Sequence, residues 1–215
     1  MKSKSLKKVS LSDANLLLTI TIVVFFLMYI GAMIFEGGGF LKPQTFFNIL
    51  NANGALIITA CGLSLVMITG SIDISVGGVV ALVSMCCAVY LDFKGGNVFV
   101  SLLIALAIGL GFGLVQGFLV AYLDIQPFIV TLAGMFFGRG MTSIISTDMI
   151  SIKNKTFLAW ANYKIYLPIG SYSRRGKFIP AYIYPTVIIA ILIFIVIAII
   201  MKYTKFGREV YAIGG

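Results

Sequence analysis

The chain has 215 residues, of which 60% are hydrophobic and 11% are charged, and its formal net charge is +9. A soluble domain carries about 25% charged residues, so this composition excludes a soluble globular protein and predicts a polytopic membrane protein. All the cations except Arg139 lie in flanks and loops beside apolar segments. The positive charge therefore indicates membrane topology and not nucleic-acid binding. The sequence contains no histidine, which excludes histidine-ligated metal sites and histidine-based catalysis.

The first apolar segment, 16–35, is too long for the hydrophobic region of a signal peptide. It follows a basic head that contains Lys2, Lys4, Lys7 and Lys8. Since cytoplasmic flanks carry an excess of lysine and arginine, this segment is predicted to be a retained first span with a cytoplasmic N-terminus.

Five further apolar segments are long enough to cross a bilayer. They cover about residues 46–70, 76–91, 98–123, 127–145 and 185–201. The predicted fold is therefore all-α: a bundle of about six transmembrane helices that forms one domain over residues 1–215. The three cysteines lie within apolar runs, so we interpret them as small packing residues and not as disulfides.

Glycines recur at a four-residue spacing in two of the predicted spans. Gly109, Gly113 and Gly117 share one face of the fourth span, and Gly134 and Gly138 share one face of the fifth. Small residues at this spacing let the backbones of neighbouring helices approach closely. The spacing predicts a glycine-packed bundle with a packing seam on each of these two faces.

A single charged residue, Asp73, lies between Gly54 and Leu91. It sits in the glycine-bearing turn 69–78, which is either the tip of a helical hairpin or a break inside the bilayer. A carboxylate at mid-membrane costs about 2.5–3.5 kcal/mol on insertion scales, so its presence needs a reason. Its side chain, or that of Ser75, can cap the helix that follows. The same carboxylate can also gate or line a solute path, and capping does not exclude this second role.

Other polar side chains also lie within the predicted spans. Asn53, Gln116 and Thr131 can face an aqueous path, with hydrogen bonds between helices as the alternative. Arg139 either snorkels to the interface or meets a carboxylate or a polar ligand. The candidate pathway and gating residues are Asn53, Asp73, Ser75, Gln116, Thr131 and Arg139.

The one long polar segment, 146–184, mixes aromatic residues with six cations. This mixture is typical of a membrane–water interface, and residues 156–166 are predicted to lie as a surface helix. Six spans would place this segment outside the cell, against the positive-inside tendency. The basic flanks at 1–8 and 202–208 nevertheless favour six spans with both flanks in the cytoplasm.

Motifs of enzyme catalysis are missing from the sequence. It contains no Walker A pattern, no Gly-x-Ser-x-Gly elbow and no His-Glu-x-x-His motif. We therefore predict neither a catalytic site nor a metal site in this chain. An ion carrier would place more carboxylates within its spans, so the cargo is predicted to be polar and uncharged.

Three segments resemble the sugar permeases of bacterial ATP-binding-cassette importers, of the ribose/xylose/galactose type. Residues 69–77 (TGSIDISVG) resemble the GGIDLSVG signature of that family. Residues 127–140 (PFIVTLAGMFFGRG) are similar to its PFIVTLAGM-RG block, and residues 206–215 (FGREVYAIGG) to its FGR-VYAIGGN segment. The motifs follow the family's order and spacing, and the second block looks most like the galactofuranose branch.

The resemblance implies the permease subunit of an importer that moves a monosaccharide across the bacterial cytoplasmic membrane. No cofactor is expected in this chain, because ATP and magnesium would bind to separate cytoplasmic ATP-binding subunits. The other implied partners are an extracytoplasmic sugar-binding protein, a second permease subunit (identical or different) and membrane lipid, with no nucleic acid. The segment 146–184 would be the candidate surface for the binding protein.

Members of the family have further spans after the third motif, and the helix that contacts the ATPase is expected just past Gly215. The resemblance thus predicts that this chain is an N-terminal portion: a truncated product, an incomplete gene model or half of a split subunit. The alternatives are an inactive truncated remnant and a channel or ion-coupled secondary carrier outside this family. A secondary carrier would need intramembrane charges or an inverted repeat, and neither is evident.

Overall fold

The structure is a computed structural model that describes residues 11–36, 40, 42–172 and 178–215. The basic head at 1–8 lies outside the described residues, as do Arg174, Arg175 and Lys177 of the long polar segment.

The described residues form eight helices and two strands. In chain order these are α1 (Leu11–Glu36), α2 (Pro43–Ile68), α3 (Val76–Phe93), α4 (Val98–Tyr122), α5 (Pro127–Ile145), α6 (Lys155–Ala161), β1 (Ile165–Tyr172), β2 (Phe178–Ile183), α7 (Pro185–Tyr203) and α8 (Lys205–Gly214). Helices α1 to α5 and α7 are long and apolar enough to cross a membrane. The prediction of six spans is confirmed. Helix α1 begins at Leu11, five residues before the predicted bound of 16, and the other helix ends lie within three residues of the predicted bounds.

The spanning helices leave most of their apolar side chains exposed in this chain. Within the apolar part of α1, 0% of the residues are buried among the described residues. The corresponding share in α4 is 6%. Contiguous apolar surface of this extent is not tolerated in water, because soluble monomers rarely expose more than about a few hundred Å² in one patch. Lipid or other protein therefore covers these helices.

The chain divides into two compact units. One consists of Met1–Leu50 and Tyr166–Ile183, and the other of Asn51–Ile165 and Tyr184–Gly215. Helix α2 begins in the first unit and continues in the second.

The first unit contains a β-hairpin that the sequence analysis did not predict. The predicted surface helix at 156–166 is shorter in the structure, where α6 covers Lys155–Ala161 and strand β1 begins at Ile165. Aromatic and β-branched residues favour strands, and proline is tolerated because both strands of a two-stranded sheet are edges. The hairpin is tied to α2, where the N–H of Tyr182 donates to Oε1 of Gln44 at 2.8 Å.

Close packing in the second unit joins α3 to α5. A Cβ atom added at Gly78 of α3 would lie 2.6 Å from the carbonyl oxygen of Met135, and one added at Gly138 of α5 would lie 2.8 Å from the carbonyl group of Gly78. Real Cβ atoms do not approach backbone this closely, so both positions require glycine. Two backbones therefore touch here because neither residue has a side chain.

The predicted packing seam on α4 has no neighbouring helix against it among the described residues. A Cβ atom added at Gly109, Gly113 or Gly117 would meet no described atom within 4 Å. Four-residue spacing places glycines on one helix face, but it does not determine whether another helix lies against that face. In this chain the α4 glycines face open space.

The C-terminal helix α8 packs against the ends of two spanning helices. The hydroxyl of Thr204 caps α8 by accepting the N–H of Gly207 at 3.3 Å, and it donates to the carbonyl of Ile200 at 2.7 Å. A Cβ at Gly214 would clash with the carbonyl oxygen of Ile68, the last residue of α2. The third motif, residues 206–215, therefore forms most of α8, and the end of this helix lies beside the start of the turn that contains Asp73.

Candidate functional site

The turn between α2 and α3 begins with a well-defined helix end. Gly70 has a φ of +77°, in the left-handed region that glycine adopts without strain. The N–H of Ser71 donates to the carbonyl of Val66 at 3.2 Å, and that of Gly70 to the carbonyl of Met67 at 3.0 Å. This pair of bonds is the Schellman motif, which satisfies carbonyl groups at a helix C-terminus.

Asp73 organises the second half of the turn. Its Oδ1 accepts the N–H of Ser75 at 2.8 Å and the hydroxyl of Ser75 at 2.6 Å. Ser75 is 2% exposed and makes no capping bond with its own side chain. The carboxylate of Asp73 therefore has the capping role, since it accepts the donors of the residue that precedes α3.

Gln116 of α4 reaches the same serine. The side-chain amide of Gln116 lies 3.2 Å from Ser75 Oγ. Because Ser75 has one hydroxyl proton, and the shorter contact to Asp73 takes it, the amide must donate to Ser75 and not accept from it. We therefore assign the Gln116 amide with its NH₂ group toward Ser75. Its other polar atom is buried without a hydrogen-bond partner among the described residues and rests on Gly134.

Thr131 of α5 fixes the turn from another side. Its hydroxyl lies 3.2 Å from the carbonyl of Ile72 and 3.3 Å from that of Phe128, so one proton is shared between two acceptors. Thr131 is 6% exposed. The turn is therefore connected by side-chain hydrogen bonds to both α4 and α5.

A cleft of about 240 Å³ opens beside the turn, between residues of α2, α3 and α4. Its polar wall consists of Thr59, Asp73, Ser75 and Gln116. Its apolar wall consists of three valines, Phe112 and two α4 glycines, Gly109 and Gly113. Small-ligand sites combine apolar walls with a few placed polar groups, so this cleft has the composition of a site for a small polar molecule.

The arrangement offers little to a metal ion. Among the described residues, no group of three or more histidine, cysteine, aspartate or glutamate side chains could hold one. Divalent cations such as Ca²⁺ need about 6–8 oxygen ligands, and a single carboxylate does not supply them. The chemistry available in the cleft is hydrogen bonding to one carboxylate, two hydroxyls and one amide.

The structure brings together four of the six candidate residues. Asp73, Ser75 and Gln116 line the cleft, and Thr131 holds its turn in place. Asn53 and Arg139 do not line it; both are exposed. Thr59 and Phe112 were not among the residues predicted from the sequence. The spacing of Gly109, Phe112, Gly113 and Gln116, which share one face of α4, was a usable signal for Phe112.

A second concavity lies on the other side of Gln116. It measures about 560 Å³ and is almost wholly apolar, with Gln116 as its one polar side chain among the described residues. Phe112 and Phe137 both line it, and their ring centroids lie 5.9 Å apart. This apolar groove offers no polar partner besides the amide, so the polar cleft is the better candidate for function.

Comparisons with known proteins agree with the motifs. The sequence profile of the family described as branched-chain amino acid transport system, permease component, matches residues 45–215. The chain is 34% identical, over 94% of its length, to the inner membrane ABC transporter permease protein YjfF of Escherichia coli. It is 33% identical, over 100% of its length, to the fructose import permease protein FruG of Bifidobacterium longum.

A third relative is the galactofuranose transporter permease protein YtfT of Escherichia coli, which is 36% identical over 78% of this chain. The chain covers 57%, 62% and 45% of the lengths of these three relatives. No solved structure matches it significantly. Because the family profile covers most of the chain and six helices can cross a membrane, the protein is a multi-pass membrane protein that belongs to this family of transport-system permease components.

Proposed function

We propose that the chain is the membrane-spanning permease subunit of an ATP-driven importer and that it translocates a monosaccharide. The observation that carries the proposal is the identity of 33–36% to relatives whose names specify fructose import and galactofuranose transport. The polar cleft supports it, because its wall presents one carboxylate, hydroxyls and an amide with no cationic side chain. Uncharged polyhydroxyl cargo matches these groups, whereas the carboxylate of an amino acid would find no cationic side chain to pair with in this cleft.

The proposed partners follow from this role. ATP and magnesium bind to separate cytoplasmic ATP-binding subunits, a sugar-binding protein delivers the cargo outside, and a second permease subunit completes the pathway. With a cytoplasmic N-terminus, the 69–75 turn and helix α8 lie on the cytoplasmic side, and the 146–184 segment lies outside. That segment is then the surface offered to the binding protein, and its aromatic residues suit a membrane–water interface.

The test is transport by the complete complex in proteoliposomes. The permease subunits, the ATPases and the binding protein are reconstituted together, and ATP-dependent accumulation is measured for labelled fructose, galactose, ribose, xylose and galactofuranose. We expect one of these sugars to accumulate only when ATP is present inside. Labelled leucine is the comparison solute, because the family is described as a branched-chain amino acid transport system and leucine is such an amino acid. Accumulation of leucine without any of the sugars would contradict the proposal.

Gly134→Ala is expected to lower sugar uptake with little effect on stability. An added Cβ would collide with the amide atom of Gln116 that faces away from Ser75, and it would lie 3.3 Å from Ser75 Cβ. The amide is the end of a flexible side chain, so it moves away and loses its contact with Ser75 at the cost of a single hydrogen bond, about 0.5–1.5 kcal/mol. Uptake and thermal melting in detergent measure the two effects.

The control for this variant is Gly140→Ala, on the same helix, where an added Cβ meets no described atom within 4 Å. Uptake should fall about threefold to tenfold for Gly134→Ala and stay unchanged for Gly140→Ala. Equal uptake by the two variants would show that the Gln116–Ser75 contact does not matter for transport.

A further inference from the structure

Four residues that line the cleft have been given no role so far: two with large enough side chains to contact a ligand, and two glycines. Thr59 and Phe112 line it together with Asp73, and Gly109 and Gly113 leave its α4 side open. Resting on the proposed function, we infer that this cleft is a subsite for one monosaccharide ring. In it, Thr59 and Asp73 bind hydroxyl groups, Phe112 packs on the ring's C–H face, and the α4 glycines keep the space free.

Hydrogen-bond acceptors dominate the polar wall. Asp73 uses Oδ1 to accept both bonds from Ser75, and no hydrogen bond to its Oδ2 is found among the described residues. The hydroxyl of Thr59 donates to the carbonyl of Ala55 at 3.0 Å, so its remaining capacity is to accept. A wall of acceptors binds donors, and each sugar hydroxyl is a donor. Bonds to a charged acceptor are also the stronger ones, worth about 1.5–3 kcal/mol.

The apolar wall suits the C–H groups of a sugar ring. Phe112 lies on α4 between the two cleft-lining glycines, and Val76, Val79 and Val80 of α3 complete the surface. An aromatic ring presents a large, flat apolar area, which the C–H groups of a pyranose or furanose cover well. The volume of about 240 Å³ is below the ~300–1,000 Å³ of sites for drug-sized ligands. The cleft thus holds a single ring and not an oligosaccharide.

The α4 glycines provide a direct way to fill the subsite. Gly113 lines the cleft, and a Cβ added there meets no described atom within 4 Å. A larger side chain at this position therefore starts from a Cβ in open space and extends into the cleft. Gly117 is one helical turn further along the same face, is equally open, and lines neither the cleft nor the apolar groove. Replacing glycine within a helix improves helix propensity by up to about 1 kcal/mol, so neither change threatens the fold.

The experiment uses the reconstituted importer and the labelled sugar that the unmodified complex accumulates. Gly113→Leu, Gly117→Leu and Thr59→Val are compared for initial uptake rate, for binding-protein-stimulated ATP hydrolysis and for co-purification of the subunits. We expect Gly113→Leu to lower uptake at least tenfold, and Thr59→Val to lower it about threefold to tenfold, with hydrolysis and co-purification retained. Gly117→Leu should stay within twofold of the unmodified complex.

Each possible result of this experiment either supports the subsite or overturns it. Loss of uptake confined to Gly113→Leu and Thr59→Val supports the subsite. Unchanged uptake in Gly113→Leu overturns the subsite and leaves the proposed function standing. Equal loss in Gly113→Leu and Gly117→Leu, or loss of co-purification in Gly113→Leu, also overturns it, because the glycine face then acts as a packing surface. If the unmodified complex accumulates none of the sugars, the proposed function fails, and the subsite fails with it.

Discussion

Gly78→Ala is expected to destabilise the helix bundle, whereas Gly77→Ala, one residue earlier in α3, is expected to leave it unchanged or slightly more stable. The added Cβ at Gly78 would lie 2.6 Å from the carbonyl oxygen of Met135 and 3.0 Å from its Cα, and both atoms belong to the backbone of α5. Backbone cannot rotate out of the way as a side chain can, so α3 and α5 must separate. Overpacking of this kind typically costs about 1–3 kcal/mol.

Thermal melting of the purified chain in detergent, followed by size-exclusion chromatography, measures the difference. One kcal/mol shifts the melting temperature of a chain of this size by about 2–4 °C, so Gly78→Ala should melt roughly 2–12 °C lower. Gly77 is the matched control, because a Cβ there meets nothing described within 4 Å. Equal melting temperatures for the two variants would show that α3 and α5 do not touch at this point.

Gly138→Ala provides the reciprocal evidence from the other helix. Its added Cβ would lie 2.8 Å from the carbonyl carbon and oxygen of Gly78. Because both glycines serve one contact, the destabilisation of the double variant should be smaller than the sum of the two single effects. This shared contact is why two glycines on different helices behave as one structural feature.

The spanning helices were predictable because length and hydropathy alone determine them. The end of α5 was predicted at residue 145, and the helix ends at Ile145. Helix packing was not predictable in the same way. The α4 glycines have the more regular spacing, yet the close backbone contact joins Gly78 to α5. A spacing identifies a face, whereas the identity of the neighbour depends on the three-dimensional arrangement of all the helices.

The site residues that could be predicted from the sequence are those whose polar side chains are energetically costly to place in a membrane. Asp73 and Gln116 stand out in apolar segments, and the structure joins both to Ser75. Thr59 and Phe112 do not stand out, because threonine and phenylalanine are ordinary residues of spanning helices. The β-hairpin was missed because its tyrosines were interpreted as an interfacial belt. The sequence of β1, IYLPIGSY, does not alternate between apolar and polar residues, so it lacks the period-2 pattern that predicts a half-buried strand.

Asp73→Ala is expected to reduce both the stability of the protein and sugar uptake. The change removes the acceptor of two donors of Ser75, a residue that is 2% exposed. A buried donor left without a partner costs about 1–3 kcal/mol, so the turn should loosen and the melting temperature should fall. Uptake should fall by at least tenfold, because the turn that shapes the cleft and the carboxylate that binds the cargo are lost together.

Asp73→Asn separates these two roles. The asparagine carbonyl can still accept from Ser75, so the turn and the melting temperature should be preserved. The NH₂ group replaces the free carboxylate oxygen and presents a donor where the sugar needs an acceptor, so uptake should still fall by about tenfold, equivalent to ~1.4 kcal/mol. Full uptake by Asp73→Asn, together with loss in Asp73→Ala, would limit the carboxylate to capping α3. Loss in both, with stability preserved in asparagine alone, assigns the free carboxylate oxygen of Asp73 to the path of the sugar.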